Sequence, residues 1–211
     1  MTTIIHWPAA VLRDGAYPYL FDGDLERLGK ESHAGGGEGT VSFHSVQRTQ
    51  LRALLAEMTL VMYAAKGVGL AAPQIGVPLQ VAVIDIGDGK LLELVNPTMV
   101  ATEGKVRGSE GCLSLPGCHA HIDRAAKVIV SYFRPDGTED VLAAGGLLAI
   151  VLQHELDHLA GKTIAERCGV AARDIMRRTM TRTREHEARV REHEAKMVAA
   201  EAERSGEAAN G

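Results

Sequence analysis

Five consecutive residues, His154-Glu155-Leu156-Asp157-His158, have the types and spacing for metal-assisted hydrolysis. On a helix, positions i and i+4 share a face, so both imidazoles can reach one metal ion. Glu155 stands beside the first of them, where it can carry a proton to or from a water in the site. The plainer alternative is a pair of histidines satisfied inside a core, but Glu155 would then need a buried partner as well. Two ligands do not complete a catalytic zinc-like site, which takes three protein donors and leaves one position open. The residues after His158 read LAGKTIAERC and hold no further histidine. A glutamate farther along the C-terminal helix could serve, as in other zinc peptidases. The earlier stretch EGCLSLPGC at 110–118 is the better source. Its Cys112 lies between Gly111 and Leu113, and a thiolate is a strong donor to Zn2+ or Fe2+. Cys118 competes for the same role, and His119 and His121 crowd the segment. A separate site of Cys118, His119 and His121 would match no common zinc framework.

A third stretch reads Gly67-Val68-Gly69-Leu70-Ala71-Ala72-Pro73-Gln74. Two glycines let the backbone come close to a substrate, although an ordinary helix-to-strand turn would read the same way. It is not a nucleotide loop, because a leading strand and the third glycine of that fingerprint are missing.

These groups need elements to hold them. Residues 46–65 carry Leu51, Leu54, Leu55, Met58, Val61 and Met62 close to helical spacing, with Gly67 able to end the helix. Short strands are expected at Val81 to Ile86, Leu91 to Val95 and Val128 to Phe133, with a turn at Pro135-Asp136-Gly137. Gly145 to Ala160 begins apolar on all sides and becomes polar on one. That pattern suits a buried helix whose polar face opens on a site, stopped by Gly161. Residues 22–45, with their glycine run at 35–37, read as a mobile surface insertion. From Ala171 the chain reads as a long exposed helix fraying near Ser205. Its early part is rich in arginine: Arg173, Arg177, Arg178, Arg182 and Arg184. A solvated, ion-paired helix explains this, and contact with a polyanion such as ribosomal RNA is the sharper alternative.

The 211 residues allow one substantial domain, and the 4% of aromatics means that aliphatic side chains must build its core. A net charge of -4 implies no general attraction to nucleic acid, and no sequence-specific nucleic-acid binding is expected. The start of the chain lacks the pattern of a secretory signal or a transit peptide. The longest apolar stretch, Leu142 to Leu152, holds two glycines and is too short to cross a bilayer. A cytoplasmic location without membrane attachment is therefore expected. Three cysteines in a chain this long do not make a disulfide framework.

Taken together, GVGLAAPQ at 67–74, EGCLS at 110–114 and QHELDH at 153–158 resemble, in that order, the motifs of the peptide deformylase family. Looser similarity runs from about residue 46 to 165, and PAAVLR near the start resembles the family's N-terminus. The resemblance implies an α+β fold, with several short mixed or antiparallel sheets around a central buried helix bearing the HExxH motif, and a long C-terminal helix. The catalytic domain would span 1–170 with 22–45 as a flexible insertion, followed by an exposed helix at 171–205 and a disordered tail at 206–211. The implied activity is removal of the formyl group from the N-terminal formylmethionine of newly made polypeptides, releasing formate. Cys112, His154 and His158 would be the metal ligands and Glu155 the general acid/base. Gln74 and the backbone N–H of Leu113 would stabilise the oxyanion, and the backbone around Val68 and Gly69 would pair with the peptide. Leu147, Ile150 and Val151 would line the methionine pocket. The ion would be Fe2+ in the native enzyme, with Zn2+, Ni2+ or Co2+ able to replace it. The C-terminal helix could contact the ribosome. Apart from the resemblance, the residues themselves suggest that a site cramped by Gly67, Gly69 and Gly111 favours formyl over bulkier acyl groups. Two rivals stand beside this reading: an HExxH zinc peptidase with a Glu or His as third ligand, and a non-catalytic ribosome-binding protein.

Overall fold

The computed structural model describes residues 2–21 and 48–208. The insertion expected at 22–45 and the residues after 208 lie outside the described residues. Helix α1 (Arg48–Ala64) forms where the periodicity placed it and buries Leu51, Leu55, Met58 and Met62. These side chains pack with Leu70, Val81, Val83 and Val95. A five-stranded antiparallel sheet supplies that surface, in the order β1 (Gly69–Ala71), β2 (Val81–Ile84), β3 (Leu92–Glu103), β6 (Lys127–Phe133) and β7 (Glu139–Gly145). The remaining strands, β4 (Val106–Gly111) and β5 (His119–Arg124), form a separate antiparallel pair.

All four residues of β2 are buried. Side chains alternate across a strand. Val81 and Val83 accordingly join the α1 cluster, while Ile84 joins Leu94, Val128, Val130, Ala149, Val151 and Leu152 on the other face. That second cluster seats helix α2 (Gly146–Leu159), the carrier of the His-Glu-x-x-His motif. A helix buried against a sheet through its apolar first turns has little freedom, so the polar residues of its later turns are held in fixed places. The antiparallel sheets about a central buried helix are the α+β architecture expected.

Strand β3 runs well past the expected end at Val95. It passes through Pro97, which has no N–H to give to the ladder. The structure absorbs it with a register irregularity between Val95 and Thr98, beside Asn96 at φ 49°. Strands β4, β5 and β7 were not read from the sequence; the apolar stretch Leu142 to Leu152 divides between β7 and α2 at Gly145 and Gly146.

Helix α3 (Ile164–Arg167) is a single turn capped by Thr163 and Glu166. Helix α4 (Val170–Ala208) follows, and its early turns are not an exposed appendage. Met176 and Met180, four apart and so on one face, are buried with Trp7, Leu12, Leu115, Ile122 and Ile164. Arg173 donates to the Ala165 carbonyl at 2.6 Å and Arg184 to that of Trp7 at 2.8 Å, tying the helix to the body. Two methionines among many charges gave too weak a stripe to be seen in the sequence. The helix also continues beyond Ser205 to Ala208.

Candidate metal centre and active site

Three segments distant in sequence meet at the polar face of α2. Cys112 follows directly on β4, and its Sγ lies 3.2 Å from His158 Nε2. The His154 and His158 rings stand 5.0 Å apart at an interplanar angle of 69°. One donor atom each from Cys112, His154 and His158 falls within 4.8 Å of the others, the one such grouping of His, Cys, Asp or Glu among the described residues. The alternative cluster of Cys118, His119 and His121 does not form. β5 buries Cys118's neighbour Ala120 and leaves His119 and His121 exposed. All three cysteines are free thiols.

Buried charges flank the three donors and fix the direction of His154, and none of them was assigned a role from the sequence. His154 Nδ1 is 2.9 Å from Glu110 Oε2, which leaves Nε2 for the centre of the cluster. Glu110 is gripped by Arg124 through two bonds, Nε to Oε1 at 2.7 Å and a terminal nitrogen to Oε2 at 2.9 Å. The other terminal nitrogen of Arg124 reaches Asp157 on α2 at 2.5 Å, and Arg167 of α3 closes on the same carboxylate. Burial pushes the Glu110 carboxyl up, but Arg124 and His154 outweigh it and bring it down to about 2. Burial likewise opposes the His154 cation, yet contact with Cys112 and Glu110 leaves its pKa well above the ordinary value. His158 is pushed well below that value by burial and by the His154 charge. Arg124 had one visible signal. In β5 the inward positions are Ala120, Ile122 and Arg124, so the alternation turns a charge toward the core.

Glu155 is 3% exposed, and burial raises its carboxyl to about 7 against the pull of His154 and Arg124. Gly69 explains how it fits. A Cβ on Gly69 would collide with the Glu155 carboxylate and come within 2.9 Å of Val151 Cγ1. At Gly67 a Cβ would meet Leu113 Cδ1 at 2.7 Å, and at Gly111 the His119 ring at 3.0 Å. These glycines make room for the protein's own side chains, so the crowding expected around the substrate acts first on Glu155, Leu113 and His119.

Gln74 is buried in the short 3-10 turn Ala72–Ile75. Its carbonyl oxygen accepts from the Ala71 N–H at 2.9 Å, which fixes the direction of the amide. The amide nitrogen donates to Ser114 Oγ at 3.2 Å and lies 3.9 Å from Cys112 Sγ, turned toward the cluster. Strand β1 is an edge of its sheet. Val68 spends its carbonyl on the Asp85 N–H at 2.9 Å, so by the alternation of an antiparallel ladder Gly69 turns its backbone groups to the open side. A cavity of about 470 Å³ joins these parts, with Val68, Gly69, Leu147, Ile150, Val151, Gln74, Cys112, Leu113, His154 and Glu155 all on its walls.

A thiol and two imidazoles suit a divalent ion of borderline softness. Glu155 Oε2, buried and without a hydrogen-bond partner, is a carboxylate oxygen left over for a reacting water. The donor set therefore fits a metal. An α+β fold with a three-donor metal cluster, a buried carboxylate and an aimed amide donor defines a metal-dependent hydrolase. The chain belongs to the polypeptide deformylase family, whose model matches residues 38–174. It is 55% identical over 108 residues to the peptide deformylase of Syntrophomonas wolfei, covering 51% of this chain and 70% of that one. It is 40% identical over 146 residues to that of Xylella fastidiosa strain 9a5c, covering 68% and 86%. The crystal structure of a peptide deformylase from Legionella pneumophila superposes with a TM-score of 0.74 at 34% identity, over 90% of this chain and 98% of that one. The protein is thus an enzyme that removes the N-formyl group from nascent peptides. Among the described residues no helix is long and apolar enough to cross a membrane.

Proposed function

We propose that Cys112, His154 and His158 hold the ion, Fe2+ in the native enzyme, and that Glu155 is the general acid/base. The carrying observation is the meeting of these three donors within 4.8 Å beside a buried carboxylate with one oxygen unpartnered. When bound, such an ion brings the pKa of its water toward about 7 and so supplies a nucleophile at neutral pH. Glu155 would take a proton from the attacking water and deliver it to the amino nitrogen of the methionine, which must be protonated for the C–N bond to break and give the free amine and formate. Burial suits it to both duties, since a carboxyl raised to about 7 can accept and return a proton near neutrality.

Negative charge develops on the formyl oxygen during attack. The Gln74 amide and the Leu113 N–H are the donors assigned to it, and neither adds a titrating group. The outward backbone of Gly69, with Val68 beside it, pairs with the peptide as an added strand. Leu147, Ile150 and Val151 receive the methionine side chain. Thiolate ligation by Cys112 is what separates this site from the HExxH zinc peptidases.

The enzyme works in the cytoplasm in this reading, and α4 touches the ribosome. Support for the latter is narrower than the arginine count implies. Arg173 and Arg184 serve the packing of α4 and Arg177 pairs with Asp174 at 2.9 Å, leaving exposed Arg178 and Arg182 for a polyanion.

The test is a deformylation assay on formyl-methionyl peptides with metal analysis of the same anaerobic sample. Formate release tracking iron content supports the assignment. Activity that tracks zinc and survives long exposure to air would overturn the choice of iron, because iron and its thiolate ligand are oxidised in air.

A further inference from the structure

The mouth of the cavity has a lysine as its exposed side-chain charge. Its exposed titratable side chains are Lys66, which leads into the β1 wall, and His119, which begins β5. The carboxylates of the same cavity, Glu110 and Glu155, are buried, and Glu110 is already paired with Arg124. Lys66 has no ion-pair partner among the described residues. Asp85, beyond β2, is engaged by the Tyr63 hydroxyl at 2.5 Å and the Gly87 N–H at 2.8 Å.

Lys66 is also held where lysine is strained. It ends α1 at φ 56°, with its N–H on the Tyr63 carbonyl at 3.0 Å and the following N–H of Gly67 on Met62 at 2.9 Å. Glycine or asparagine is the ordinary occupant of such a left-handed helix end, because a Cβ crowds the backbone there. Strain that a smaller residue would remove, kept at the rim of an active site, points to a use for the side chain.

A peptide paired with Gly69 and running away from Gln74 advances about 3.4 Å per residue and passes Gly67 and Lys66 within two or three residues. We propose that Lys66, with His119 across the mouth, makes the enzyme favour formyl peptides that carry a carboxylate side chain within the two residues after the formylmethionine. This rests on the assignment of the cavity as the deformylation site.

The experiment compares kcat/KM on formyl-Met-Xaa-Xaa amides with Xaa as Asp, Ala or Lys, at low salt and at about 0.5 M salt. The metal-loaded enzyme should prefer Asp over Lys by about five- to tenfold, the scale of partly screened charge pairs. High salt should shrink that ratio. Lys66→Glu should invert it. Lys66→Gly should bring it near one while the melting temperature holds or rises, because glycine relieves the strained φ. Each ratio is taken within one preparation, so a general loss of activity cancels. A ratio near one in the unmodified enzyme, or one that neither substitution moves, overturns the proposal. Failure to deformylate any of the peptides sinks the assignment of the site, and the proposal with it.

Discussion

The two walls of the active site are held by different physics. The proposed metal wall, built from β4, β5 and α2, is fixed by buried charges: Glu110, Arg124 and Asp157 are each less than a tenth exposed, and Arg124 bonds to both carboxylates. The proposed substrate wall, built from Gly67 to Ala71, is fixed by backbone hydrogen bonds and by the closeness of Gly69 to Glu155. Burying charge is costly, and a buried pair is weak support for stability in itself. Its use here is directional. An imidazole that must point one nitrogen at a metal needs a firm acceptor on the other. A peptide that must slide in and out needs an open strand edge and shape.

The comparison makes separable predictions. Cys112→Ala should lose the ion outright and with it all activity; an HExxH peptidase with another third ligand would keep its metal. Glu155→Gln should keep the ion and lower kcat by about 10² to 10⁴-fold, the usual share of a positioned acid/base. Metal content and turnover measured together distinguish the two. Arg124→Met strikes the metal wall from behind. It leaves Glu110 and Asp157 buried without their shared partner, so unfolding by denaturant should show a loss of about 3–5 kcal/mol. Metal affinity should fall by about 10 to 100-fold as His154 loses its orientation. Normal affinity in a stable Arg124→Met protein would show that the charges do not orient the ligands.

What the sequence made legible follows the same division. The proposed ligands and Glu155 stand in compact motifs, because each must lie on a particular turn of a helix or next to a particular glycine. Helix α1 was legible because Leu51, Leu55, Met58 and Met62 repeat at helical spacing. The supporting charges were not. Glu110 and Asp157 stood inside motifs that were read for their neighbours, and Arg124 comes from another strand, so their association exists only in three dimensions. The same holds for Gly69: its role depends on Glu155, 86 positions farther along the chain. Strands β4 and β5 lack the β-branched runs that signal a strand, since one is rich in glycine and polar residues and the other carries a charge inward.

Acid should expose the metal wall without any substitution. The folded Glu110 carboxyl lies near 2 and its ordinary value is 4.5. A depressed carboxyl stabilises the fold above its unfolded value, and that contribution drains away as pH falls from about 4.5 through about 2. The full span is on the order of 3 kcal/mol. Melting temperatures recorded against pH should fall across that window, and Glu110→Gln should flatten the fall at a lower starting stability. The substrate wall answers to shape instead. Gly69→Ala places a methyl group on the Glu155 carboxylate, so kcat should drop by about 10²-fold with little change in metal content. An alanine variant with full activity would mean that Glu155 can retreat and still transfer its proton.

The smallest effect is the one that isolates burial as the cause. Lys127 and Glu103 pair at 3.1 Å across β6 and β3, with side chains 66% and 74% exposed. The geometry is about as close as that of Arg124 with Glu110, where the side chains are 4% and 6% exposed. Exposed pairs give back in lost side-chain freedom and solvent screening most of what their attraction supplies. Glu103→Gln should therefore change stability by less than about 0.5 kcal/mol and leave kcat unchanged, read by the same denaturant titration and formate assay. If it cost as much as Arg124→Met, charge pairing alone would account for both, and the metal wall would owe nothing to being dry. A sixfold or greater gap between the two losses places the effect in the desolvated interior, where water cannot replace the lost partner.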